Sequence, residues 1–151
     1  MPSTAISQFY TFAALTLVSS ILICAFSSYT ITLRTNIELE QLKNVLSSVA
    51  ACGNNLLTVV IAANSTLKNA IQPPSRIGNK QYWMRLTNDS SHAWLEGALG
   101  QICANSLAYK VFLPGKISVS GHYISGYGAI IMECYMNSST QQLNLRSFSP
   151  D

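Results

Sequence analysis

The first charged side chain in this chain is Arg34, and between Pro2 and Pro73 there is no proline and only one glycine, Gly53. Helix breakers and charges are therefore both missing from the start, but they return at different places. The run from Phe9 to Leu33 holds 25 residues without charge, proline or glycine. That exceeds the roughly 20 residues a helix needs to cross a hydrocarbon layer. A cleaved secretory signal would want a basic start and a shorter apolar core, and MPSTAISQ carries neither Lys nor Arg. The run thus reads as a retained transmembrane helix over 9–33, preceded by a short tail over 1–8. Phe9, Tyr10 and Phe12 near one end and Tyr29 near the other suit the interface belts where amphipathic rings collect.

Within the span, Ser19, Ser20, Ser27 and Ser28 alternate with Ala13, Ala14 and Ala25. Small residues of this kind let membrane helices approach one another, and these serines are candidates for helix association. The alternative is that each hydroxyl bonds back to its own helix.

Beyond Arg34 the helical signal continues over 34–72. Leu39, Leu42, Leu46, Val49, Gly53, Leu56, Val60, Ala63 and Leu67 follow at spacings of three and four, the signature of one apolar helix face. Arg34 and Glu38, and Glu40 and Lys43, are spaced for ion pairs along that helix. Pro73 and Pro74 are expected to end it. One helix from about Ser3 to Ile71 would be roughly 100 Å long. A second span over 45–63, making a membrane hairpin, is disfavoured by Ser47, Ser48, Asn54 and Asn55, whose side chains are costly in hydrocarbon.

From residue 75 to 151 the texture is β. Short alternating runs such as KQYWMRLT (80–87), HAWLE (92–96), GQICA (100–104), LAYKVFL (107–113), ISVSGHYI (117–124), GAIIMECYM (128–136) and LNLRSF (143–148) are separated by turn residues. They predict an antiparallel meander of five to six strands. So small a sheet is marginal alone, and the apolar helix seam is its natural partner. The fold class is α+β, with a long helix packed on a small antiparallel sheet.

A hydrophobic N-terminal helix that continues as an amphipathic half and then meets a small β domain resembles the type IV pilin architecture. The stretches ITLRTNIELEQLKNVLSSVAACGNNLL, PPSRIGNKQYWMRLTND and YKVFLPGKISVSGHYISGYGAIIMECY look like those of archaeal pilin-like and pseudopilin-like surface proteins. The resemblance implies a membrane-anchored subunit or relative of a surface filament or secretion apparatus, with the β domain outside the cell. Two departures are visible. MPSTAISQFY lacks the basic residue and glycine that precede the processed bond in pilin precursors, and no acid precedes Glu38. In this respect the chain is closer to unprocessed anchors among accessory archaellum proteins.

Orientation rests on opposed signals. Arg34 and Lys43 follow the span, so counting basic residues alone would keep the β domain inside. Sequons at Asn64, Asn88 and Asn137 suit an exported domain carrying glycans, and the resemblance also favours the outside. In an oxidising compartment, Cys103 and Cys134 are the favoured disulfide pair, with Cys52 as the competitor. Cys24 lies in the span as a small apolar residue.

The chain carries no zinc spacing and no phosphate loop, and no cofactor is expected. A Ser/His/acid set could be drawn on paper from His122, Ser125 and Glu133, but a serine-rich chain permits this anywhere, and no enzyme is expected. Only 10% of residues are charged and the net charge is +3, too little for a nucleic-acid footprint. No small-molecule substrate is implied. The expected partners are the lipid bilayer and either further copies or other pilin-like subunits. The competing expectation is a monomeric anchored module that presents Trp83, Trp94 or Tyr127 to an envelope glycan or protein.

Overall fold

The computed structural model describes residues 2–89, 91–102, 108–137 and 140–147, with the side chains of 2–5 excepted. The chain divides into two compact units, Met1–Ile37 and Glu38–Asp151. A single unbroken helix, α1 (Pro2–Ala63), runs through both, so the hairpin alternative falls. Among the described residues seven strands follow: β1 (Leu67–Ile71), β2 (Tyr82–Asn88), β3 (Ala93–Leu99), β4 (Tyr109–Leu113), β5 (Ser118–Ile124), β6 (Ile130–Asn137) and β7 (Thr140–Ser147).

The helix ends earlier than the prolines suggest. Asn64 takes a positive φ of 47° and its N–H reaches the Val60 carbonyl at 2.9 Å. Asparagine tolerates this left-handed terminator better than most residues. The chain then enters β1, which pairs antiparallel with β6 from Leu67 opposite Cys134 to Ile71 opposite Ile130. Leu67 is accordingly a strand residue and not part of the helix seam, and the sheet begins before residue 75.

The sheet is also larger and less regular than a meander. Its order is β1-β6-β7-β5-β2-β3-β4, seven strands where five to six were expected. Most neighbours are antiparallel, but β5 and β7 run parallel, with Val119 opposite Leu143. The pairings of β1 with β6 and β5 with β7 join segments far apart in sequence, and no turn chemistry announces them. Residues 100–102 of GQICA are not in a strand, and 103–104 lie outside the described residues: β3 stops at Leu99, and Gly100 turns the chain with a φ of 92° while its N–H donates to the Gln81 carbonyl at 2.6 Å.

In the unit Glu38–Asp151 the seam does what its period requires. Leu42, Leu46, Val49, Ala50, Leu56, Leu57 and Val60 are buried with Met84, Leu95, Tyr123, Met132, Leu143 and Leu145 from the sheet. Two seam positions on the helix stay exposed, Leu39 at 41% and Ala63 at the helix end. Two glycines let helix and sheet approach closely. A Cβ at Gly53 would meet Met132 Cε at 3.0 Å, and one at Gly97 would meet the Trp83 carbonyl at 2.6 Å and a Leu46 methyl at 3.0 Å. Gly53 thus marks where the sheet's longer side chains reach the helix backbone. Gly121, with a φ of 111°, lies so near the Leu145 backbone that no side chain fits.

Candidate functional site

Two regions carry side chains that the core does not use. The first is the N-terminal part of α1. The segment is long and apolar enough to cross a membrane: its most apolar window has a mean hydropathy of 2.0, and none of that window is buried. Phe9, Leu15, Leu17, Ile21, Ile23 and Phe26 are all exposed. Ser19, Ser20, Ser27 and Ser28 share that exposed helix. The hydroxyls of Thr11, Thr16, Ser20, Thr30, Thr32 and Thr35 donate to carbonyls one turn back, Ser20 to Thr16 at 2.8 Å. Such back-bonding satisfies a hydroxyl without a partner helix, which also makes it tolerable in an apolar medium.

The second region is the sheet face opposite the helix, where β2, β3, β4 and β5 place alternate residues. The NDSS turn sets its register. The Asp89 N–H donates to the His92 carbonyl at 2.9 Å, and counting outward puts Arg85 opposite Glu96 and Thr87 opposite Trp94. Asp89 Oδ1 accepts the Ser91 and His92 N–H groups at 2.7 and 2.6 Å. These backbone donors, His92 first and then Ser91, hold the Asp89 carboxyl below its ordinary range.

Glu96 is the centre of this face and is buried. Arg85 Nε donates to its Oε1 at 2.9 Å, and the Trp94 indole N–H donates to Oε2 at 3.2 Å. Burial pushes the carboxyl up, but the Arg85 and Trp94 hydrogen bonds and the charges of Arg85 and Lys110 outweigh it. The net effect is a group held below its ordinary range. Lys110 Nζ stands 4.9 Å from the centre of the Trp94 ring, and Phe112 packs at an angle on both Trp94 and His92. Phe112 is 62% exposed. Trp83 lies on the same face, buried, with its indole N–H unpartnered. A second ion-pair group sits across the sheet, where Glu133 accepts from Lys68 at 2.7 Å and from Arg146. Those two hydrogen bonds, Lys68 first, depress the Glu133 carboxyl.

Neither ion-pair group was visible from composition, although the NDSS turn contains the information that pairs Arg85 with Glu96. Glu38, expected to face Arg34 along the helix, is buried, pairs with Lys80 at 2.9 Å and lies against Gly78. The turn Ile77–Lys80 that supplies Lys80 closes on itself by two backbone hydrogen bonds of 3.1 Å.

The paper triad is not assembled. Ser125 is buried and its Oγ accepts the Tyr82 N–H at 2.9 Å, while Glu133 is held by Lys68 and Arg146. His122 is exposed on β5 and lines a small depression with Ile124, Tyr127 and Ser147. Among the described residues no three His, Cys, Asp or Glu side chains come together as a metal site. Cys134 is a buried free thiol, and Cys52 accepts a hydrogen bond from Asn69 Nδ2 at 2.9 Å. Cys103 lies outside the described residues. Asn64, Asn88 and Asn137 are all exposed, at the end of α1, the end of β2 and the end of β6 respectively.

No protein-family model, no curated protein and no solved structure matches this chain.

Proposed function

We propose that the chain is a single-pass membrane-anchored structural protein, a subunit or accessory component of a type IV pilus-like surface filament or secretion apparatus. The observation that carries this reading is the division of one helix into an apolar part with nothing covering it and a part that forms the spine of a sheet domain. An apolar surface of that length must be covered by lipid or by neighbouring helices. The α+β plan agrees with the pilin-like resemblance, and the exposed sequon asparagines agree with an exported domain. Ser19, Ser20, Ser27 and Ser28 are the groups through which copies or other pilin-like subunits would approach in the membrane.

The exposure of Phe112 beside Trp94, and of Tyr127 elsewhere on the sheet, favours a second reading, an anchored module that binds an envelope glycan or protein. Access of a membrane-impermeant thiol reagent to a cysteine placed at Asn88, in intact cells, tests the first reading. Labelling is expected without lysis, and labelling only after lysis would remove the filament hypothesis. Oligomer size in detergent separates the two readings, since a strictly monomeric chain belongs to the second.

A further inference from the structure

The sheet has two edges, and they are built differently. At one edge, β1 presents Lys68, Asn69 and Ala70, with Lys68 held by Glu133 and with Pro73 and Pro74 following. Lysine and proline are devices by which proteins blunt an edge against indiscriminate strand pairing, and β4 carries them too, in Lys110 and Pro114, so the edges differ in their exposed aromatic residues. At the other edge, β4 pairs only with β3 among the described residues. It exposes Phe112 on one face and Tyr109, 42% exposed, on the other.

The direction of the β4 backbone groups follows from the hairpin before it. Asp89 N–H to His92 carbonyl and Gly100 N–H to Gln81 carbonyl are bonds between β2 and β3 at the two ends of one ladder. Hydrogen-bonded pairs alternate along an antiparallel ladder, so Trp94, Glu96 and Ala98 bond toward β2. Ala93, Leu95 and Gly97 therefore bond toward β4, where they face Leu113, Val111 and Tyr109. Lys110 and Phe112 are left with their N–H and carbonyl groups pointing out of the sheet.

Charge selects what fits there. Lys110 is exposed beside the Trp94 ring, and Lys43 stands 5.7 Å from the Tyr109 ring centre. The carboxylate on β3, Glu96, lies opposite Lys110 but is buried and takes its hydrogen bonds from Arg85 and Trp94. We propose that the free edge of β4 is a strand-addition site for an extended, acidic segment of a partner protein. The partner strand hydrogen-bonds to the Lys110 and Phe112 backbone, packs apolar side chains on Phe112 or Tyr109, and sets a carboxylate opposite Lys110. Strand addition of this kind takes affinity from the main chain and specificity from alternate side chains. A second copy fits less well, because it brings its own Lys43 and Lys110 to the same edge. The inference concerns the unit Glu38–Asp151 and holds whether or not the apolar helix lies in a membrane.

The test uses the full chain in nanodiscs and a fluorescein-labelled decapeptide of alternating valine and threonine with a central glutamate, with empty nanodiscs subtracted. Fluorescence anisotropy is expected to show binding about tenfold tighter than that of a twin with a central lysine, from like-charge repulsion at the edge. Phe112→Pro, which removes an outward N–H and the ring, is expected to weaken the glutamate peptide about tenfold or more. Lys110→Gln removes the charge without setting a second carboxylate opposite buried Glu96 and is expected to abolish most of the difference between the two peptides. Equal binding of both peptides by the unsubstituted chain, binding of neither, or an undiminished preference in Lys110→Gln would overturn the proposal. So would disulfide formation between a Lys110→Cys copy and a Phe112→Cys copy without peptide, which would make the occupant a second copy.

Discussion

The two parts of helix α1 share one backbone geometry and have opposite surroundings. From Leu42 to Val60 the apolar face is buried against the sheet, and Leu46 and Val60 have no exposed surface. From Phe9 to Leu33 apolar residues point in every direction and remain exposed. Hydroxyls fold back onto their own helix in both parts, from Thr11 to Thr35 and again at Thr58, but only in the sheet-packed part do polar groups such as Glu38 and Cys52 find partners on other described elements, Lys80 and Asn69. The contrast teaches that helix formation here says little about what stabilises the helix. One part depends on tertiary packing, whereas the other satisfies its hydrogen bonds internally and leaves its apolar surface to the medium.

The comparison breaks most sharply if the spine is cut. Leu46→Ala is expected to destabilise the sheet domain by about 2–5 kcal/mol, the range for truncating a fully buried leucine, as read by denaturant melts of near-ultraviolet circular dichroism. Leu17→Ala, at an exposed position of the same helix, is expected to leave that melt unchanged. An equal loss for both would mean that the apolar part belongs to the domain's core. Gly121→Ala comes next, expected to cost about 1–3 kcal/mol, because it forces a side chain into a left-handed backbone position against Leu145. It too acts only on the sheet domain.

A smaller effect is expected from the polar face. Glu96→Ala strands Arg85 and the buried end of the Trp94 indole and should cost about 1–2 kcal/mol, seen as a lowered midpoint in the same melts. The pH profile carries the matching sign. Glu96 and Glu133 lie below their ordinary value of 4.5 in the folded chain, so they stabilise it above that value. Their contribution is lost as pH falls through the depressed folded values, and Glu96→Gln should flatten the acid limb. At the alkaline end Tyr82 is raised by burial and by neighbouring Tyr123, so stability should decline once pH passes the ordinary tyrosine value of 10.0. The smallest effect is reserved for the span: replacing Ser20 and Ser27 by Leu should leave the domain melt alone and weaken detergent oligomers by about 0.6 kcal/mol per site, measured by sedimentation.

The long helix, its apolar start and the buried seam were all legible, because a 3.6-residue period and an absence of charge are local properties of consecutive residues. The strands themselves were largely legible for the same reason. The helix end was misread because Asn64 is a weaker signal than Pro73, and the chain leaves the helix wherever a competing strand can pair. The sheet's order was not legible, since β1 with β6 and β5 with β7 are joined by backbone bonds between distant segments that no residue pattern encodes. Of the polar face, the pairing of Arg85 with Glu96 could be counted from the NDSS turn, but the burial of Glu38 under Gly78 could not.

Taken alone, the amino-acid sequence determined which stretch can face hydrocarbon and which face of the helix must be buried, because hydrophobicity and period are set residue by residue. Tertiary structure alone decided that β1 and β4 became the edges, that Lys68 guards the first, and that Lys110 and Phe112 turn their backbone groups outward on the second. Those outcomes depend on which distant strands pair, and pairing is a property of the assembled sheet.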